Sequence, residues 1–226
     1  MYKKRTVQLG DYDTAAHGLW TLAACKFPGP EVEQNLVNVP GRFQGPLDLS
    51  TALTDGWPVY GARPLTITLE SSEGTREARE ARISEMVNKL HGQRVNFVLP
   101  DHPLHYGTGR LSVQTLYNDP AHASVQVTGT CDPWLYAKAE TVVQLQASTT
   151  AQTARLRNAG AMPVVPLVEI TAAAGATVSL VFGAYSWALA AGSYKLPDLA
   201  LLPGDHVITY SGAGTAKITY REAVLR

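Results

Sequence analysis

The sequence predicts a mainly β protein with an α+β N-terminal domain, one helix and a second, all-β domain. Three observations predict this class. Apolar and polar residues alternate from Leu65 to Glu70, as in a half-buried strand. Over residues 76–91 the apolar spacing becomes helical, and beyond residue 138 short alternating runs are separated by Gly and Pro turns. We expect an N-terminal β-sandwich or split barrel with one helix, followed by a β-sandwich.

The helix is the best-defined element of the N-terminal half. Its apolar positions recur at helical spacing, at Ile83, Met86, Val87 and Leu90. Thr75 is the expected N-cap, and His91-Gly92 is the expected end of the helix. The remaining positions are mostly charged, so one face should pack on strands.

Further alternating segments complete the predicted N-terminal domain, residues 1–137. These are Tyr2–Leu9, Leu19–Phe27, Val32–Val39, Val95–Leu99, Leu111–Tyr117 and Ala123–Val127, the last two joined by a hairpin turn at Asn118-Asp119-Pro120. Residues 40–57 show little periodicity and contain three Gly-bearing turn pairs. A loop this long in a compact domain is usually functional.

The composition changes near Lys138, where we place the boundary of a second domain, residues 138–226. This part is rich in Ala, Thr, Val and Gly and contains no convincing helix. The expected strands are Thr141–Ala147, Thr153–Asn158, Val164–Ile170, Thr177–Phe182, Tyr185–Ala190, Gly192–Leu196, His206–Tyr210 and Ala216–Arg221. Short strands at this spacing are typical of a β-sandwich.

The charge distribution argues against nucleic-acid binding. Lys and Arg together number 19, as do Asp and Glu. Residues 1–137 hold 12 basic and 14 acidic side chains, and residues 138–226 hold 7 and 5, so neither half is a basic domain. No apolar run has the length of a membrane span, and no signal-peptide core is visible near Met1. We therefore expect no specific nucleic-acid or membrane partner and a protein made in a cytosol.

The sequence predicts no catalytic, cofactor-binding or metal site. The strongest metal candidate is the segment Asp101–Tyr106, but His102 and His105 would point to different sides of an extended chain. Cys25 and Cys131 lie far apart and without a Cys-x-x-Cys motif, which favours free, buried thiols in a reducing compartment over a nucleophile paired with a distant His.

Three aromatic residues in the second domain offer one alternative function. Tyr185, Trp187 and Tyr194 could form a platform for a sugar ring, although aromatics on short strands more often belong to a core. The corresponding hypothesis is a carbohydrate-binding accessory module that contacts a host cell wall. A hydrolase domain is a further alternative.

Several short motifs, in a fixed order, resemble one family. They are Val39-Pro40-Gly41-Arg42, Leu47-Asp48-Leu49-Ser50, Asp55-Gly56, Leu90-His91-Gly92, Asp101-His102-Pro103, Cys131–Tyr136, Gly192–Pro197, Leu202–Val207 and Ile218–Glu222. Together they resemble the distal tail (Dit) proteins of long-tailed, siphovirus-type bacteriophages, over nearly the whole chain. The pair Phe43-Gln44 departs from the pattern, which favours an Asp before the Gly.

The resemblance implies a structural virion protein rather than an enzyme. Six copies would form a homohexameric ring, with the second domain, a galectin-like sandwich, on the outside. The ring would join the tail tube protein to the tail hub or tip protein in the baseplate, around the lumen used by the tape-measure protein and DNA. A receptor-binding protein is a further implied partner. The location would be the virion tail tip, after assembly in the bacterial cytoplasm.

A cyclic ring requires two different, complementary surfaces on each copy. We expect residues 40–57 to supply one of them, as an arm that reaches the next subunit. The candidate interface residues are Arg42, Phe43, Leu47, Leu49 and Trp57.

Overall fold

The computed structural model describes residues 4–21, 23, 25–41, 45–54 and 56–225 of the 226-residue chain. The chain divides into two compact units, residues 1–135 with 225–226 and residues 136–224. Among the described residues there is a single helix, and the remaining elements are antiparallel strands, so the mainly β prediction is confirmed. The boundary near Lys138 and the assembly roles of the two domains stay predictions.

The first unit is built on one antiparallel sheet with a helix against it. Its elements are β1 (Gln8–Leu9), β2 (Tyr12–Asp13), β3 (Leu36–Val37), β4 (Leu47–Asp48), β5 (Arg63–Ser71), α1 (Arg76–Leu90), β6 (Arg94–Val98), β7 (His105–Asn118) and β8 (Ala123–Cys131). The strand order is β5-β8-β7-β6-β1-β2, and β3 pairs only with β4. Alternate residues of β5, β7 and β8 point into one core that the helix covers.

The helix begins and ends where the sequence predicts. The Thr75 hydroxyl accepts a hydrogen bond from the Ala78 amide at 3.3 Å, and His91 follows the last helical residue as the C-cap. Its inward face buries Ile83 and Met86 against the sheet. Among the described residues no helix combines the length and the apolar character needed to cross a bilayer.

The second unit is a sandwich of two four-stranded antiparallel sheets. From residue 135 onward the strands are β9 (Leu135–Ala137), β10 (Thr141–Leu145), β11 (Ser148–Asn158), β12 (Leu167–Ala172), β13 (Val178–Phe182), β14 (Tyr185–Leu189), β15 (Gly192–Lys195), β16 (Gly204–Gly212), β17 (Gly214–Tyr220) and β18 (Ala223–Val224). The eight strands β10–β17 form the sandwich, and β9 and β18 do not belong to it. One sheet has the order β10-β17-β12-β15 and the other β11-β16-β13-β14. Their inner faces share one apolar core, as aligned sandwiches do. The eight strands β10–β17 match the eight predicted segments.

The prediction of regular strands near the N-terminus was wrong in three places. Tyr2–Leu9 contains only the two residues of β1 within its described part, and Val32–Val39 contains only the two of β3. Within its described residues, Leu19–Phe27 makes single bridges to neighbouring segments instead of a ladder. That segment is a nearly continuous apolar run, so it lacks the strict alternation that fixes a strand register.

Candidate interaction surface

Exposed apolar side chains are concentrated in one hairpin of the first unit, whose described residues are 31–41, 45–54 and 56–61 and which we call the arm. Of the fifteen large hydrophobic side chains that are exposed among the described residues, seven lie there: Val32, Leu36, Val37, Val39, Leu47, Leu53 and Val59. Leu53 is 99% exposed. This group of exposed apolar side chains makes the arm the candidate interaction surface, because such side chains cost free energy to keep in water.

The arm is held by few backbone pairs. At its base Val32 bridges Tyr60, and the Glu33 amide donates to the Val59 carbonyl at 2.8 Å. Farther out, β3 and β4 form a two-residue ladder. An isolated two-stranded ribbon is marginal in water, so packing against a partner would stabilise the arm.

Three of the five predicted interface residues lie on the described part of the arm. Leu47 is exposed, while Leu49 and Trp57 are half-buried within it. The Trp57 amide donates to the Thr54 carbonyl at 2.9 Å, and the Thr54 hydroxyl donates to the Trp57 carbonyl. Arg42 and Phe43 fall outside the described residues. Their role as interface residues stays a prediction.

Sequence reasoning missed the most exposed apolar residue of the arm. Leu53 projects from the turn region that follows β4, and it lines an open recess of about 330 Å³ together with Leu49 and Val59. The signal was an isolated leucine among turn-forming residues, where burial would be unexpected. The arm therefore offers both a projecting side chain and a recess.

The charged side chains on the described part of the arm are all acidic: Glu31, Glu33 and Asp48. Hydrogen bonds from the side chain and backbone of Ser50 lower the pKa of Asp48, so this carboxylate is ionised at neutral pH. An apolar surface bordered by carboxylates favours a partner surface with apolar and basic groups.

Two of the three residues of the predicted aromatic platform, Trp187 and Tyr194, pack against the core of the second unit. Trp187 is opposite the buried Leu180, and Tyr194 is opposite the buried Val168, so both rings pack against the sandwich core. Tyr185 stacks on Trp187 with ring centroids 6.0 Å apart and is half-exposed. Tyr185 and Trp187 come from one sheet and Tyr194 from the other. Sugar binding by these residues stays a prediction.

The segment proposed as a metal candidate forms a turn. The amide of His105 donates to the carbonyl of His102 at 3.1 Å, and Asp101 pairs with Arg5 at 2.6 Å. Among the described residues no three His, Cys, Asp or Glu side chains are grouped as metal ligands would be.

Both cysteines are free thiols. Burial raises the pKa of Cys25 to about 11, and a nearby Asp101 adds to the effect. Burial raises the pKa of Cys131 to about 12, with a further contribution from Asp132. Since only the thiolate is a strong nucleophile, both side chains are protonated and weakly reactive at neutral pH.

The fold of the chain is similar to that of a bacteriophage distal tail protein. One similar structure is the crystal structure of the SPP1 Dit protein, a paradigm of the hub adsorption apparatus in phages that infect Gram-positive bacteria. It covers 96% of this chain and 98% of that chain, with a TM-score of 0.65 and 15% sequence identity. The resemblance predicted from the motifs is thus confirmed at the level of the fold.

No protein-family profile matches the sequence, and no curated protein matches it either.

Proposed function

We propose that this chain is a structural, non-enzymatic distal tail adaptor of a phage, in which the arm joins neighbouring copies into a ring. The exposed apolar arm carries the proposal, because a chain of this fold would otherwise keep seven large apolar side chains in water. The structural likeness to SPP1 Dit supports the setting, a phage tail, and the balance of 19 basic and 19 acidic residues suits packing between copies.

A closed ring needs each copy to present two different surfaces, one of which fits the other on the next copy. The arm supplies the first surface under this proposal. Its apolar residues would be buried against the body of the neighbouring copy, and Glu31, Glu33 and Asp48 would face basic side chains there. We expect six copies per ring.

The ring would act as a connector in the virion. The tail tube protein would attach on one side and the tail hub or tip protein on the other, with the tape-measure protein in the lumen and receptor-binding proteins attached at the periphery. This role needs no cofactor, and it places the protein at the tail tip.

Removing residues 42–53 tests the arm assignment. This deletion takes away β4, Leu49 and Leu53 while leaving the base of the arm, so the remaining chain can close with a short connection. We expect a folded monomer by size-exclusion chromatography with light scattering, whereas the intact chain forms rings.

The deletion is informative only if the two cores remain folded. Near-native circular dichroism and cooperative unfolding would establish that. Rings that persist after the deletion would overturn the assignment of the arm as a ring contact.

A further inference from the structure

Two chain segments connect the arm to the rest of the first unit, and we call them the roots of the arm. They meet at one buried guanidinium, that of Arg63. The chain enters the arm after residues 27–30, a Phe-Pro-Gly-Pro segment, and leaves it at Arg63, the first residue of β5. Arg63 is 1% exposed, which is unusual for an arginine. Its position lets one side chain contact both ends of the arm.

The Arg63 guanidinium donates to three carbonyl oxygens on two segments. Nε bonds to the Pro28 carbonyl at 2.6 Å, Nη2 to the Phe27 carbonyl at 3.1 Å and Nη1 to the Pro133 carbonyl at 3.1 Å. The same group lies over the Phe27 ring, 3.7 Å from its centroid. The planar fork of arginine therefore fixes the entering root relative to β5 and to the segment after β8.

An aromatic pair reinforces the same point. Tyr60, on the returning root, meets the Trp134 ring edge-on, with centroids 5.3 Å apart and planes at 81°. Trp134 follows Pro133, whose carbonyl Arg63 holds. Both roots are thus tied to one short segment of the body, Pro133-Trp134.

We infer that Arg63 is a positioning residue that sets the direction in which the arm leaves the body. Pro28 and Pro30 restrict the backbone of the entering root, but they donate no hydrogen bond that could anchor it. Arg63 supplies donors that point at this root. Burial lowers the pKa of Arg63, although the guanidinium stays charged at neutral pH.

The arm's few internal pairs explain why direction depends on the root. In the described part of the arm, regular backbone pairing is confined to its base and to the β3–β4 ladder. Without Arg63 the arm would sample many directions, and it would pay an ordering cost each time it docked on a neighbour. The value of a fixed arm direction for assembly rests on the proposed ring. The effect of Arg63 on the arm can be measured in the monomer, without any ring.

The chain contains a matched control in Arg79. This arginine is 2% exposed and also donates to backbone carbonyls, those of Gly74 at 2.7 Å, Asp119 at 2.6 Å and Pro120 at 3.0 Å. It ties α1 to the β7–β8 hairpin, and none of these three acceptors lies in the arm. Replacing either arginine removes a buried cation and leaves carbonyls without donors, so the general loss of stability should be similar.

The experiment compares Arg63→Met with Arg79→Met by hydrogen exchange of the full-length chain under monomeric conditions. Methionine keeps an apolar stem of similar length and removes the donors. In Arg63→Met we expect at least tenfold faster exchange of the arm-base amides, notably Glu33 and Gly61, with unchanged exchange in α1. In Arg79→Met we expect faster exchange in α1 and the hairpin and an unchanged arm base.

Two results would overturn the inference: arm-base exchange within twofold of the parent in Arg63→Met, or the same acceleration in Arg79→Met. If Arg63→Met does not fold, Arg63→Lys replaces it, and the same pattern is expected with a smaller change. Ring formation is measured separately. If Arg63→Met forms rings and its arm-base amides exchange at the parent rate, the positioning role of Arg63 is refuted and the proposed function is not. If Arg63→Met shows the accelerated exchange but the parent chain never forms rings, the proposed function is refuted and the positioning role of Arg63 is retained.

Discussion

Replacing Leu53 with Asp is expected to dissolve the ring while leaving the monomer as stable as before. Leu53 is 99% exposed in the single chain, so the substitution removes no intrachain packing and should change the free energy of unfolding by less than about 0.5 kcal/mol. In the ring the same side chain would be buried on the neighbour, where an unpaired carboxylate is costly. We expect each contact to weaken by about 2–4 kcal/mol, the range of an interface hot spot.

Light scattering across a dilution series measures this effect, with thermal unfolding of the same samples as the check on stability. Leu104→Asp is the matched control, because Leu104 is 74% exposed and lies outside the arm. Equal loss of rings in both variants would contradict a contact centred on the arm. Rings in Leu53→Asp as stable as those of the parent would remove Leu53 from the interface.

Replacing Gly107 with Ala is expected to cost more stability than its single added methyl suggests. Gly107 pairs across the sheet with Phe97, whose ring is fully buried and meets Phe27 edge-on with centroids 5.5 Å apart. A Cβ at Gly107 would lie 2.4 Å from the nearest atom of the Phe97 ring. The ring would have to move into a filled core, so we expect a loss of about 2–3 kcal/mol.

Chemical denaturation of the full-length variants measures that loss in the first unit. Gly29→Ala is the control, because a Cβ there meets nothing within 4 Å. The double variant Gly107→Ala with Phe97→Leu should be less destabilised than the sum of its two single variants, since a smaller side chain vacates the space. If the losses of unfolding free energy add up in the double variant, the predicted clash between the new Cβ and the Phe97 ring does not cause the destabilisation. A Gly107→Ala variant as stable as Gly29→Ala would lead to the same conclusion.

Local patterns predicted the elements whose own residues determine them. The helix 76–90 has its N-cap, apolar spacing and stop all within residues 75–92, and the structure follows each of them. The strands of the second unit alternate cleanly and are separated by Gly or Pro turns. In both cases side-chain period and turn chemistry agree, so tertiary contacts did not have to override local preference.

The arm and its root could be predicted only in part, because they depend on distant residues. Lack of periodicity marked residues 40–57 as a projecting segment, but the β3–β4 pair joins residues on either side of a turn with weak strand signals. Arg63 looks like an ordinary polar residue at the start of a strand. Its guanidinium is buried against the carbonyl groups of Phe27, Pro28 and Pro133. These residues are too far from Arg63 in the sequence for local patterns to reveal the contacts.

The aromatic residues of the second unit show a similar limit. From the sequence, Tyr185, Trp187 and Tyr194 could form a surface platform, although aromatics on short strands more often belong to a core. Trp187 pairs with Leu180 and Tyr194 pairs with Val168, so these two aromatic side chains face the core of the sandwich. The sequence of a single strand does not show which residues it pairs with.

Native mass spectrometry of the unaltered full-length chain tests the central claim most directly. If the apolar arm links copies head to tail, micromolar solutions will contain a closed species of about six times the 24.3 kDa chain mass. A single 24.3 kDa species from low to high micromolar concentration would contradict the account, because seven exposed apolar side chains would then have no partner in the protein itself.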